Sequence, residues 1–381
     1  MNKEWSLETE WVRMDLLAED DRIEILDRAG RIIREGGLVA FPTETVYGLG
    51  ADAMNARAAA RIYEAKGRPS DNPLIVHIAD FAEAEKLSAD ISPGVWRIFE
   101  ACWPSPLTVI LPKRPEVPDG TTGGLSTVAI RMPSHPLAAE LIRRSGRMIA
   151  APSANLSGRP SPTTAAHVYE DMKGRIPMIL DGGPVRIGIE STILDMTGEE
   201  PVILRPGFIS PGDLGKVWGG RILLDPAVAS RTMKKNIKAR APGMKYRHYA
   251  PKGKMVLVEG PSAAVAAAIN ALAAADRKEG LRVGIIGTEE TAGLYRGDVV
   301  RALGSRQHPE TIAAALYRIL REMDDLNCSS IYSESFYDEE LGEAIMNRLM
   351  KAAGCHVIKV RQGMGEESFV IEDSKTEGGP V

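Results

Sequence analysis

Alternation of apolar strand-like runs with amphipathic helical segments predicts an α/β protein. Three observations carry that expectation. Runs such as LVAF (38–41), LIVHI (74–78) and LTVILP (107–112) have strand length and β-branched content, and helical patterns such as NARAAARIYEA (55–65) separate them. Several strand candidates crowd together after residue 176, which favours a mixed sheet over a purely parallel one. An acid-free basic stretch then divides this region from a second, shorter alternation.

In chain order, Asp20 or Asp21 can cap a helix to about Glu35, with Ile23, Leu26, Ile32 and Ile33 on one side and Gly36-Gly37 as its stop. Further strands are expected at 127–133, 148–153, 177–183, 191–197 and 201–207, with helices at 136–144, 163–173 and 211–217. Beyond the basic stretch, MVLVEG (255–260), an Ala-rich helix (262–278), RVGIIGT (282–288), VVRALG (299–304), a helix from Pro309 to about Asp324, SSIYSES (329–335), a helix at 338–350 and HVIKV (356–360) form a small βαβ domain with Rossmann-like winding. The expected organisation is a twisted mixed α/β domain at 1–225, a basic linker at 226–254, the Rossmann-like domain at 255–365 and a frayed polar tail at 366–381.

The 381 residues are too many for one ordinary domain, and 44% hydrophobic with 26% charged residues suits globular cores without staples. A net charge of −4 offers no general attraction to nucleic acid, so any RNA contact must be local and weak. Cys102, Cys328 and Cys355 form no Cys-x-x-Cys pair, which argues against disulfides and thiolate zinc sites. The acidic N-terminus lacks an apolar signal-peptide core, and no run of 18 apolar residues occurs. A cytoplasmic location and no membrane contact are expected. Neither a Walker loop, a G-x-G-x-x-G after a strand, nor an H-E-x-x-H is present.

What remains is polar residues at strand ends, where open α/β sheets bind ligands. FPTETVYGLGADA (41–53) suits a pocket-lining loop, and KGRPSDNPLIVHI (66–78) places Lys66 and Arg68 just past a helix end. Singly these have ordinary explanations: dipole complement for the two cations, a core histidine at His77, and turns or a helix cap at Ser153, Asn155, Ser157 and Ser161. Arg131 says more, because a guanidinium within an apolar strand needs an anion partner.

Taken together and in order, PTETVYGLGAD, KGRPSDNPL, WPSPLTVIL, VAIRMP, APSANLSGRPSPT and IESTILD resemble the recurrent blocks of the YrdC family, from about residue 21 to 215. APGMKYRHYAP and the domain after it resemble that family's longer, two-domain Sua-type branch. One departure is Ala241-Pro242, where the family often has Ser-Pro. The resemblance implies a YrdC-like first domain and synthesis of threonylcarbamoyl-AMP from L-threonine, bicarbonate and ATP. Pyrophosphate would be released, Mg2+ would be required, and the product would pass to a tRNA threonylcarbamoyl-transfer complex. It places L-threonine contacts on Thr45, His77, Arg131, Ala151 and Ser191. ATP contacts fall on Arg68, Asn72, Thr127, Ser153, Ser161 and Arg205, with Lys66 in the same basic block and a linker tyrosine, Tyr246 or Tyr249.

The chemistry needs alignment, charge neutralisation and exclusion of water rather than a nucleophile. No carboxylate cage is evident, so Mg2+ is expected to ride on the phosphates. His77 is a candidate base, with threonine binding the preferred role. Two alternatives stand beside this reading. One is another carbamoyl-adenylate former, of the kind found within hydrogenase-maturation proteins, although their zinc-finger segments have no counterpart here. The other is a non-catalytic RNA-binding module using the basic 226–258 stretch, whose tyrosines could stack on bases. The favoured use of that stretch is as a lid over the first domain.

Overall fold

The computed structural model describes residues 7–229, 240–241, 248–336, 341–363 and 369–375. These fall into two compact units: 7–157 with 161–229 and 240–241, and 158–160 with 248 onward.

The first unit runs β1 (Glu10–Arg13), α1 (Glu19–Arg34), β2 (Val39–Phe41), β3 (Gly48–Asp52), α2 (Ala56–Lys66), β4 (Ile75–His77), α3 (Phe81–Leu87) and α4 (Pro93–Cys102). It continues through β5 (Leu107–Pro112), α5 (Asp119–Thr122), β6 (Thr127–Arg131), α6 (Pro136–Ser145), β7 (Ile149–Ala150), α7 (Ala165–Met172) and β8 (Met178–Asp181). It ends with β9 (Thr192–Asp195), β10 (Val202–Arg205), α8 (Pro211–Trp218), β11 (Leu223–Leu224) and α9 (Pro226–Ala229). One mixed sheet collects the strands in the order β1-β8-β2-β3-β7-β4-β6-β5-β9-β10-β11.

Helix boundaries follow local chemistry. Asn55 caps α2 by accepting from the Arg57 and Ala58 amides, and Gly67 closes it in the left-handed conformation at φ 61°. Strand β3 is a departure from expectation, since GLGAD lacks branched residues and reads as loop. It pairs because Gly50 lies where a Cβ would meet Phe41 and Ile149 at 2.7 and 2.8 Å, so only glycine lets the strands close. The short polar strand β1 and helices α3 and α4 were likewise not expected.

Helices cover the sheet unequally, and this inequality positions the site. One face packs a continuous core with α2, α4 and α7, through Ile62, Ile98, Phe99 and Val168 against Val76, Val109, Ile130 and Leu194. On the other face α1 and α6 bury Val39, Phe41, Ile149 and Leu180. Over β4, β6, β5, β9 and β10 that second face carries a small cluster of Ile75, Ile110, Ala129, Ile193, Leu204 and Ala241, to which no described helix contributes.

The second unit has β12 (Lys254–Glu259), α10 (Ser262–Lys278), β13 (Val283–Gly287), β14 (Val299–Ala302), α11 (Pro309–Asp325), β15 (Ser330–Glu334), α12 (Leu341–Ala352), β16 (Val357–Gln362) and β17 (Phe369–Lys375). The sheet order is β14-β13-β15-β12-β16-β17, parallel except for the last pair. The segment expected to be frayed therefore contains a strand. β17 pairs antiparallel with β16, and Phe369 packs against the second unit's core. Of the linker, 230–239 and 242–247 lie outside the described residues, and Tyr246 with them.

Candidate active site

Strand register assembles the centre of the site. His77 pairs with Arg131, Arg131 with Thr108, Thr108 with Ile193, and Ile193 with Arg205 across a bulge, giving one row over five strands. Residues directly opposite one another share a sheet face, and this row lies on the face that no described helix covers. His77 pairs on its other side with Ile149, so Ala151, two residues on, joins the same face. A Cβ on Gly48 would come 3.3 Å from that of Ala151, so small residues let the 42–47 loop approach closely.

That loop carries Thr43, Glu44 and Thr45 to Arg131. The guanidinium Nη1 donates to Thr45 Oγ1 at 3.0 Å, and Nη2 lies 2.7 Å from Glu44 Oε1. The Thr43 and Thr45 hydroxyls are 2.8 Å apart, and Thr43 donates to the Val46 carbonyl at 2.7 Å. Backbone amides of Ile187 and Gly188 donate to the carbonyls of Glu44 and Thr45 at 2.9 and 3.1 Å, fixing the loop from behind.

Arg131 and Glu44 are each only 5% exposed, so the charges compensate each other in a dry setting. Burial alone would raise the Glu44 carboxyl; the charge of Arg131 at short range, with nearby backbone amides, outweighs it and holds the group below its ordinary range. His77 is pushed down to about 3, first by burial and then by Arg131, and its Nδ1–H donates to the Ile75 carbonyl at 3.2 Å. Its imidazole is therefore neutral at physiological pH, and its conjugate acid forms only under strong acidification. This weakens the case for His77 as a base.

At the far end of the row Arg205 is bound to Ser191, through Nε to the carbonyl at 3.0 Å and Nη2 to the hydroxyl at 3.1 Å. The Ser191 hydroxyl also meets that of Thr108 at 2.8 Å. Gly207 lets the chain turn tightly here, since a Cβ would lie 2.4 Å from the Thr192 amide. Just before Ser191, Glu190 accepts from Ser161 at 2.6 Å. The loop 188–192 thus ties residues expected at threonine and at ATP into one network.

The basic block has local partners of its own. Lys66 is buried, and its ammonium is bound to the carbonyls of Ser153 and Asn155. Ser153 in turn donates to Asn155 Oδ1 at 2.5 Å. Lys66 organises the 153–155 turn. Arg68 is half-buried and donates to the Pro73 carbonyl at 3.2 Å, while buried Asn72 has a side-chain oxygen with no hydrogen-bond partner. Thr127 shares the face of Arg131 but starts the strand, about 13 Å away along it. Tyr249 belongs to the second unit, where its buried ring packs 5.1 Å from that of Tyr317. Glu44 and Glu190 escaped the sequence-level candidate set. The signal for Glu44 was an acid within an otherwise neutral, hydroxyl-rich segment.

Fold and site together define an α/β domain that gathers cations, hydroxyls and a neutral imidazole on one sheet face; no cluster of metal-ligating side chains occurs among the described residues. Comparison with known proteins sharpens this. Residues 31–207 match the Sua5/YciO/YrdC family, described as "Telomere recombination", and 209–354 match a family described as the threonylcarbamoyl-AMP synthase C-terminal domain. The chain belongs to the Sua5/YciO/YrdC family, in its two-domain form. It is 50% identical over 332 residues to the threonylcarbamoyl-AMP synthase of Pyrococcus abyssi, covering 87% of this chain and 95% of that one. With the Bacillus subtilis protein of the same name it shares 50% over 333 residues, 87% and 94% of the two chains. A crystal structure of P. abyssi Sua5 complexed with L-threonine aligns with a TM-score of 0.84 at 48% identity, over 93% of this chain and 99% of that one.

Proposed function

We propose that the protein is an L-threonylcarbamoyladenylate synthase, converting L-threonine, bicarbonate and ATP to threonylcarbamoyl-AMP and pyrophosphate. The observation that carries this reading is the buried row centred on Arg131, on a sheet face that no described helix covers, in a chain half identical to proteins named for that activity. Arg131 takes the substrate carboxylate. Thr45, Ser191 and His77 offer polar contacts around it, and Ala151 leaves room for the side chain. The threonine amine combines with bicarbonate, losing water to give a carbamate. A carbamate oxygen attacks the α-phosphorus, the bond to the bridging oxygen breaks, and pyrophosphate leaves. Nothing in this sequence needs a protein nucleophile, which agrees with the residue types gathered here.

Arg68, Asn72, Thr127, Ser153, Ser161 and Arg205 are proposed to contact ATP. Lys66 supports them by fixing the turn that carries Ser153. Glu44 and Glu190, two acids of this network, already face Arg131 and Ser161, so Mg2+ is best placed on the phosphates, where it would neutralise charge. The product would serve a separate step that transfers the threonylcarbamoyl group to tRNA, and the cytoplasm is the compartment that fits. No helix among the described residues is long and apolar enough to cross a membrane.

Pyrophosphate release measured with each substrate omitted in turn tests the reaction. Release should require threonine and bicarbonate together. Equal release without threonine would reduce the protein to an ATP pyrophosphohydrolase.

A further inference from the structure

The Arg131 guanidinium is held at two of its three nitrogens. Nη1 is bonded to Thr45, while Nη2 lies 2.7 Å from Glu44 Oε1 without a well-aligned hydrogen bond, and Nε has no partner at all. A carboxylate grips arginine through parallel bonds to adjacent N–H groups, and the Nε–Nη2 edge is one such fork. Glu44 therefore neutralises Arg131 at short range while leaving that fork without an aligned acceptor. Its backbone is fixed independently, since the Ile187 amide holds the Glu44 carbonyl at 2.9 Å. A carboxylate needed only for charge balance gains most by forming the fork itself. This one stands beside it.

We propose that Glu44 is a positioning residue: fixed on the 42–47 loop, it sets the plane and direction of the Arg131 guanidinium so that the Nε–Nη2 edge meets the carboxylate of the amino-acid substrate. The inference rests on the reading that Arg131 binds that carboxylate. Glu44 touches no reacting atom; it acts through Arg131, and both its charge and its reach matter. An aspartate keeps the charge but falls one methylene short, so it cannot hold the guanidinium in the same plane.

The test combines variants of the full chain with separate measurements of L-threonine affinity, affinity for a non-hydrolysable ATP analogue, and melting temperature. Glu44→Gln and Glu44→Asp should each weaken threonine binding about 10-fold or more, as expected for a displaced charged hydrogen bond. Nucleotide affinity should stay within about twofold, in keeping with a site that has its own contacts. In an Arg131→Ala background either change should have almost no further effect on threonine, because residues acting through one contact are non-additive. Restoration of full threonine affinity by Glu44→Asp would show charge balance alone and overturn the proposal. So would losses that multiply in the Arg131→Ala background; should Glu44→Gln fail to fold because the buried Arg131 charge is left uncompensated, Glu44→Asp, which keeps the charge, decides the test. If Arg131→Ala itself leaves threonine binding unchanged, the carboxylate reading fails first, and that outcome is distinct from the others.

Discussion

Two buried glutamates, one in each unit, show how differently the same residue can be used. Glu334 ends β15 at 2% exposure and is saturated: it accepts from the Thr288 amide at 2.7 Å, the Thr291 hydroxyl at 2.5 Å and the Tyr295 hydroxyl at 3.1 Å, and pairs with Arg306 at 3.1 Å. Glu44 is nearly as buried, yet neither of its oxygens receives a well-aligned hydrogen bond, and its partner Arg131 keeps an unpaired Nε. A buried polar group left unmatched is costly, and folds rarely tolerate it without a reason. In the second unit the acid knits two loops to its own strand end and is finished. In the first, the arrangement is complete only when something else supplies an acceptor.

The largest expected effect tests the unfinished side of that comparison. Arg131→Ala should weaken threonine binding by about 2–5 kcal/mol while nucleotide affinity changes far less, because it removes a buried charged partner. Arg131→Lys should recover only part, since an ammonium cannot form the fork. Unchanged threonine affinity in calorimetry would remove Arg131 from the site.

Acid sensitivity comes next. His77 is neutral in the folded protein, with its pKa lowered to about 3, whereas the unfolded chain takes up the proton near the ordinary 6.5. The unfolded state therefore binds more protons through this window, and stability falls as pH drops from 6.5 towards 3. Glu44, also lowered, adds to the loss once pH passes below its ordinary 4.5. Stability of the first unit should decline by up to about 1.4 kcal/mol per pH unit below 6 from His77 alone. His77→Gln should flatten urea-unfolding stability between pH 6.5 and 4.5. A slope unaffected by that change would place the titration elsewhere.

On the finished side, Glu334→Gln should cost the second unit about 1–3 kcal/mol in urea unfolding, because a satisfied buried network loses its charged acceptor. Threonine affinity should not move. A loss of threonine affinity with stability intact would give Glu334 a role that its saturated bonding does not suggest.

The sequence was a good guide to the first unit's alternation, and it marked Arg131 as needing an anion without showing the one that the fold itself provides. A guanidinium in a strand demands an anion, and the search for one stopped at the substrate; Glu44, two residues past Pro42, supplies it first. Lys66 shows a similar gap: at a helix C-terminus it reads as a complement to the dipole, and the sequence gives no sign that the turn at 153–155 also binds its ammonium. Strand β3 was illegible because its evidence is steric: Gly50 is chosen for what lies opposite, and a propensity count sees only glycine. The row from His77 to Arg205 could not be read at all, since register between distant strands is a property of the assembled sheet.

The smallest effect concerns the linker, where a first-unit contact is visible and its purpose is open to test. Arg240 bonds Asp195 at 3.1 Å and Asp225 at 2.5 Å, and the next residue, Ala241, is fully buried in the cluster of Ile75, Ile110, Ala129 and Ile193 on the site's own sheet face. The chain at 240–241 is thus fastened to the first unit beside the Arg131 row. Arg231, Lys234, Lys235, Lys238, Lys245 and Arg247 lie outside the described residues, so this contact is the available handle on the expected lid. The Arg240 side chain is 48% exposed, and solvent screening limits the stability contribution of its ion pairs to about 1 kcal/mol or less. If the fastening holds a lid in register, Arg240→Ala should lower kcat/KM by more than that stability loss accounts for. Arg240→Lys should fall between the two, and the wild-type enzyme should approach the variant as added salt screens the pair. A variant with wild-type kcat/KM at low salt would leave Arg240 as a surface ion pair and the linker as a tether.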